Sequence, residues 1–160
     1  MEAVLEQPKK ERIYDIVGKR MNPAQIQKSW PYILAAIAQS ITKPMDEDMA
    51  LNLHTAIVTG DMQCWGLMTK RPQGFRYVGL LTTQVTTDTM RRERSLLIYS
   101  FYCGVPVQKE AWVREFAKLE EFAKEQNCAR ISAQTDNPRV LEIVKEIGFG
   151  EPKTLIAKEL

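Results

Sequence analysis

Few side chains in this sequence stand where bond-making chemistry would need them. His54 is the single histidine, and the three cysteines, Cys64, Cys103 and Cys128, are far apart. A zinc centre needs imidazoles and thiolates at short, regular intervals, so no metal site is expected. A serine or cysteine nucleophile needs a base within hydrogen-bond reach. With only His54 to serve Ser100, Ser132 or Cys103, covalent hydrolase chemistry is disfavoured. Asp88, Glu93 and His54 are the candidates for a general base, but no sequence neighbour tunes any of them, and each reads as structural or surface. No catalytic residue is assigned.

Composition narrows the classes further. Of 160 residues, 44% are hydrophobic and 26% charged, the balance of one folded domain with a substantial core. Twenty-two basic against 20 acidic residues leave a net charge of +2, too weak a field to argue for nucleic acid. The aromatic residues Trp30, Trp65, Trp112, Tyr77, Tyr99, Phe101 and Tyr102 could stack bases, yet residues 95–102 carry no basic side chain between them. Core packing is the better account. The cysteines sit in apolar stretches, as small buried hydrophobes in a reducing compartment. Residues 1–20 lack the apolar core of a signal peptide, and no run is apolar enough to span a bilayer. A cytoplasmic protein without a membrane partner is expected.

The elements that would position a site follow from capping and periodicity. Residues 1–12 are polar and charged and read as an N-terminal arm, leaving 13–160 as the domain. Ile13, Ile16 and Val17 suggest either a short strand or a helical turn. Asn22-Pro23 caps an amphipathic helix carrying Ile26, Trp30, Ile33, Leu34, Ile37 and Ile41, with Pro31 bending it near Ser29. Asp46, Glu47 and Asp48 open a second helix that Gly60 ends. Runs at 64–68 and 75–81 read as a hairpin about the Pro72 to Gly74 turn. A Thr-rich polar link and the Arg91-Arg92-Glu93-Arg94 cluster, a weak partner-contact candidate, lead to 95–102, a strand buried on both faces. Residues 108–124 form a helix, 129–133 a strand, Asp136-Asn137-Pro138 caps a last helix ending at Gly148, and 154–157 read as a final strand. This order predicts an α/β domain with a mixed central sheet flanked by helices.

The C-terminal half carries a resemblance. Residues 119–128, Leu-Glu-Glu-Phe-Ala-Lys-Glu-Gln-Asn-Cys, and 137–149, from Asn137-Pro138 through the helix to Gly148-Phe149, resemble segments of the GNAT (Gcn5-related N-acetyltransferase) family over about residues 95–160. The family's cofactor loop has Arg or Gln, two residues, Gly, one residue, then Gly or Ala. Its backbone N–H groups open a helix and hold the acetyl-CoA pyrophosphate. Counting back from Leu119, that motif falls on Val107-Gln108-Lys109-Glu110-Ala111-Trp112, without either glycine. Glu110 would set a carboxylate against the phosphates and Trp112 would fill the approach. The family's proton-donating tyrosine falls on Val144.

The resemblance therefore implies a GNAT-like fold whose chemistry has been lost, serving as a binding or assembly component with no cofactor. The segment Gly60-Asp61-Met62-Gln63-Cys64-Trp65 resembles GNAT-like proteins among tailed-phage virion genes, which implies a place in a host cytoplasm or a virion and protein partners such as virion subunits, reached through the N-terminal arm. The alternative is an acetyl-CoA-dependent N-acyltransferase with an atypical loop. In that case Val105, Val107, Gln108, Lys109 and Ala111 hold the cofactor, Gln108 and Lys109 lie near the pyrophosphate, and the edge of residues 99–103 pairs with the pantetheine amide.

Overall fold

The computed structural model describes residues 13–41, 43–135 and 137–160. The chain runs β1 (Val17–Arg20), α1 (Pro23–Lys28), α2 (Trp30–Ala38), α3 (Glu47–Thr59), β2 (Met62–Arg71), β3 (Gly74–Thr87), β4 (Arg94–Cys103), α4 (Lys109–Glu125), β5 (Cys128–Ala133) and α5 (Pro138–Glu146). The expected arm at 1–12 and the capping residue Asp136 lie outside the described residues.

Local chemistry fixes the helix starts. Asn22 accepts from the Gln25 N–H at 2.8 Å while the Gln25 side chain accepts from the Asn22 N–H at 2.9 Å, a reciprocal capping box. Pro31 divides the expected long helix at Ser29, and α2 ends at Ala38, short of Ile41. Asp46 accepts from Met49 N–H at 2.8 Å, and Gly60 stops α3 in the left-handed region at φ 83°.

The sheet order is β1-β2-β3-β4-β5, antiparallel except for the parallel β4–β5 pair that α4 connects. Successive residues of β2 divide between the two faces. Cys64 joins Ile26, Ile33, Ile37, Leu53 and Ile57 under the N-terminal helices. Trp65 packs with Leu96, Leu119 and Ala123 beneath α4. Apart from Tyr99, the aromatics considered for stacking are partly buried against the core: Trp65 meets Phe122 edge-on at 5.1 Å, and Trp30 meets His54 at 5.0 Å.

Three expectations are corrected here. The Thr-rich link is mostly strand, since β3 continues to Thr87 and Thr82 and Thr83 are fully buried. Their hydroxyls are satisfied across the sheet, Thr82 by Ser100 and Thr83 by Gln63 and the Trp65 indole N–H. The strand at 95–102 is not buried on both faces, because Tyr99 is 54% exposed. The register places Thr82 opposite Ser100 and Thr83 opposite Ile98, so Tyr99 is the extra residue of a β-bulge. The final strand at 154–157 does not form, and those residues lie exposed in no element.

An ionic latch ties β1 to α4. The Glu115 carboxylate, 7% exposed, accepts from Gly18 N–H at 3.0 Å and pairs with Lys118 Nζ at 2.7 Å and Arg114 Nε at 3.1 Å. Arg114 also donates to Asp15 at 2.7 Å and to the Ile16 carbonyl at 2.6 Å. The bond from Arg114 holds the Asp15 carboxyl below its usual range. Whatever this bond adds to stability is present above the ordinary aspartate pKa and fades as pH falls through the lowered value. Among the described residues, no helix is long and apolar enough to cross a membrane.

Candidate functional site

The bulge at Tyr99 sits where the sheet opens. β4 pairs with β5 only from Arg94 to Ile98, whereas its pairing with β3 continues to Cys103. From Tyr99 to Cys103 the β4 edge facing away from β3 therefore has no strand partner among the described residues. A cleft of about 450 Å³ lies there, with Phe101, Tyr102 and Cys103 as one wall, α5 as the other, and the start of α4 closing one end. Unpaired strand edges present N–H and C=O groups that a ligand amide can complete.

The α4 end of the cleft is the start of a helix. Gln108 is the N-cap residue, Ala111 and Trp112 N–H groups bond the Gln108 carbonyl, and the N–H groups of Lys109 and Glu110 have no partner among the described residues. Two free donors at a helix start, with the dipole behind them, favour negative charge. Lys109 adds a cation at the cleft wall, 4.0 Å from Glu146 of α5. Both side chains are more than half exposed, so the pair contributes little and Lys109 is free to exchange partners.

The residues assigned from sequence separate into groups. Val105, Val107 and Lys109 line the cleft. Gln108 does not offer its N–H, which donates to the Tyr14 carbonyl at 2.9 Å, while Tyr14 N–H donates to Pro106 at 2.8 Å. This bridge fixes the loop before α4 from behind. Ala111 is fully buried against Ile16, Leu67 and Val78 and supports the helix from the core side.

The two residues expected to oppose a diphosphate take other positions. Glu110 is exposed and absent from the cleft wall, because the second residue of α4 points away from the side that Lys109 and Trp112 share. Trp112 lines the cleft without filling it, held edge-on to Phe101 at 5.4 Å. Val144 is half-buried and outside the cleft lining.

Residues the sequence did not single out complete the walls. Arg139, Ile143 and Glu146 project from one side of α5, the i, i+4, i+7 spacing that signals a shared face. The Arg139 guanidinium has no ion-pair partner among the described residues. At 1.5 Å rise per residue it lies about 10 Å along the helix from Glu146, toward the end away from Lys109. Behind the β4 wall, Tyr32 stacks on Tyr77 at 5.5 Å. Its hydroxyl is buried with no hydrogen-bond partner among the described residues, and burial pushes the phenol up to about 12.

The proposed general bases are engaged elsewhere. Glu93 pairs with Arg130, Asp88 caps its turn through Met90 and Arg91 N–H groups, and His54 packs on Trp30. Cys103 donates to the Val105 carbonyl at 3.4 Å, and burial raises its thiol. Burial pushes the Cys64 thiol up to about 12. At pH 8 alkylation of Cys64 is expected only as fast as the chain unfolds, and Cys103 should react more slowly than a free thiol. Timed mass spectrometry of the labelled protein checks this, and rapid native labelling of Cys64 would contradict the core described here.

No family model matches the chain, and no curated protein matches it by sequence. Solved structures do. An aminoglycoside N-acetyltransferase in complex with a CoA-S-monomethyl-acetylneamine bisubstrate analogue superposes with a TM-score of 0.68 at 13% identity, over 91% of this chain and 97% of the other. A GNAT family acetyltransferase from Staphylococcus aureus gives 0.62 at 18% identity, over 91% and 99%. Glucosamine-6-phosphate N-acetyltransferase from Arabidopsis thaliana gives 0.62 at 9% identity, over 90% and 97%. Similarity at these identities establishes architecture. The chain has the GNAT fold, an α/β domain with a five-stranded mixed sheet that opens between β4 and β5.

Proposed function

We propose that this chain is an N-acyltransferase that takes an acyl-CoA into the cleft between β4 and α5. The observation that carries this reading is the β4 edge from Tyr99 to Cys103, without a strand partner among the described residues and facing an open cleft that ends at Lys109, the first residue of α4. The fit can be argued from the residues present. A pantetheine arm is an extended chain with two amides, and an unpaired strand edge supplies the complementary donors and acceptors. The Lys109 N–H group and ammonium, at the α4 end of the cleft, would hold a diphosphate. Phe101, Trp112 and Ile143 give the middle of the cleft apolar walls. Acetyl-CoA, when bound, supplies a thioester carbonyl that a neutral amine can attack. Tyr102 and Cys103 are the protic side chains in the β4 wall, and both are only partly exposed. The acetyltransferase structures of the same fold support the reading.

A second reading, a binding or assembly component without chemistry, is favoured by Val144, an aliphatic residue where the resemblance puts a proton donor. It carries with it the partner expected from sequence, a protein or virion subunit.

Isothermal titration with acetyl-CoA and with free CoA separates these outcomes. Binding near ~10 µM is expected, corresponding to about 7 kcal/mol. Lys109→Glu should weaken it about tenfold, since it removes the cation and sets a second carboxylate beside Glu146. Release of CoA thiol in the presence of a panel of primary amines would then establish transfer. Binding without thiol release would favour the second reading, and no binding at millimolar ligand would remove the proposal.

A further inference from the structure

β2 and β3 outrun their neighbours at one end of the sheet. β1 reaches only to Met68 of β2 and β4 only to Gly79 of β3, while β2 and β3 stay paired as far as Arg71 and Gly74. Residues 69–76 therefore form a two-stranded arm with no further strand on either side among the described residues. Its root is fixed, because Tyr77, opposite Met68, stacks on Tyr32 of α2 at 5.5 Å. The arm carries Lys70, Arg71 and Arg76, all exposed, and residues 62–87 contain no carboxylate. None of the three cations has an ion-pair partner among the described residues. The arm contributes +3 to a chain whose net charge is +2, so the near-neutral total conceals a local excess. Phe75 stands among these cations, 58% exposed. None of residues 69–76 lines the cleft between β4 and α5, and the arm is a separate surface.

We infer that this arm binds an extended single strand of nucleic acid, with a base stacked on Phe75 and the flanking phosphates on Lys70, Arg71 and Arg76. Charged side chains on a ribbon with open edges also keep other strands from adding to it. That role is filled by charges of either sign and gives no reason for an exposed ring. Three unpaired cations around one aromatic are what a stacked base between two phosphates requires, the combination that residues 95–102 lack. Alternation along the strands places the groups: Lys70 is directly opposite Phe75 and shares its face, while Arg71 and Arg76 project from the other. A strand crossing the arm beside Phe75 thus meets cations on both faces, and each guanidinium can hold a phosphate through two parallel bonds. A duplex keeps its bases in its own stack and would leave the ring unused. Base identity matters little, since every base offers a π-face.

Fluorescence anisotropy of labelled oligothymidylate and oligouridylate of about 15 nucleotides, titrated with the full chain, tests this. Half-saturation at about 10 µM is expected at low salt, and three phosphate contacts should weaken binding about twentyfold between about 50 and 200 mM salt. DNA and RNA share the chemistry, and the tighter of the two identifies the source. Phe75→Ala should weaken binding about tenfold and leave the salt dependence unchanged, and Phe75→Leu, which keeps apolar surface without a ring, should not restore it. Arg71→Gln combined with Arg76→Gln should reduce the slope of affinity against salt to about a third. These side chains are all exposed, so the circular dichroism spectrum and Tm of each variant should match the parent. No saturation with either oligonucleotide at about 100 µM protein and low salt overturns the inference. So does binding that the ring and arginine variants leave intact, or tighter binding to the matching duplex. Binding to polyglutamate or to vesicles of anionic lipid as tight as to the oligonucleotides overturns it too, because the arm would then serve an acidic protein or a membrane surface.

Discussion

Gly79→Ala is expected to lower stability by about 3 kcal/mol and to weaken ligand binding in the cleft, although it adds a single methyl group. Gly79 lies on β3 opposite Cys103, in the stretch where β4 has lost its other neighbour. A Cβ there would fall well inside van der Waals contact with the Tyr102 carbonyl oxygen, 3.0 Å from Leu67 Cδ1 and 3.1 Å from the Cys103 Cα. Two of these three neighbours are backbone, so no side-chain rotation relieves the clash, and β3 and β4 must separate. The φ of Gly79 is not in the left-handed region, so space alone demands glycine here. Replacing glycine in a strand would ordinarily return about 0.5–1 kcal/mol through the unfolded chain. The overlap outweighs that gain. For a domain of this size the loss corresponds to a fall in Tm of about 6–12 °C in a calorimetric scan. Tyr102 and Cys103 form the cleft wall, so the acetyl-CoA titration should deteriorate too, at a temperature where the variant is folded. An unchanged Tm would mean that β3 and β4 are less tightly apposed at this point.

Why the sequence disclosed the fold more readily than the site can be traced to particular residues. Asn22-Pro23, Asp46 and Gly60 act through atoms three or four positions away, so a linear reading finds them. The resemblance over 137–149 led to the GNAT fold because that segment joins a cap, an amphipathic turn and a stop within one short stretch. The opening between β4 and β5 is different in kind. It depends on Tyr99 being unpaired in a register set by Thr82 and Thr83, and a bulge belongs to two strands at once. Thr82 and Thr83 read as a polar link because their partners, Ser100 and Gln63, are 18 and 20 residues away. Glu110 and Trp112 were legible as residue types but not as directions. One is exposed outside the cleft lining, and the other forms part of a wall without filling the cleft. Arg139, Ile143 and Glu146 did carry a signal, a shared helix face, but nothing in one sequence says what that face looks onto. The segment 154–157 has strand chemistry without a strand partner among the described residues, the same limit seen from the other side.

Glu115→Ala should cost about 3 kcal/mol, comparable with Gly79→Ala, through a different mechanism. Glu115 is the one acidic side chain of α4 turned inward, and its carboxylate joins three donors: the Gly18 N–H of β1 and the cations of Arg114 and Lys118. Removing one member of a nearly buried ionic cluster leaves the others without compensation, which commonly costs more than the cluster contributed. Arg114 and Lys118 are about half exposed and can turn to water. The Gly18 N–H has less freedom, being held in the β1–β2 pair. Glu115→Gln keeps an acceptor for Gly18 and loses only the charge, so a smaller loss of about 1–2 kcal/mol is expected. The ordering of the two variants in urea unfolding is the informative result: equal losses would mean that charge, and not the bond to β1, dominates. The latch also reaches the site. Arg114 holds Asp15 and the Ile16 carbonyl, and Tyr14, next in line, holds Pro106 and Gln108 at the start of α4. Loosening β1 should therefore release the loop that sets Lys109 at the end of the cleft. The alanine variant is expected to bind acetyl-CoA several-fold more weakly than the glutamine variant even where both are fully folded.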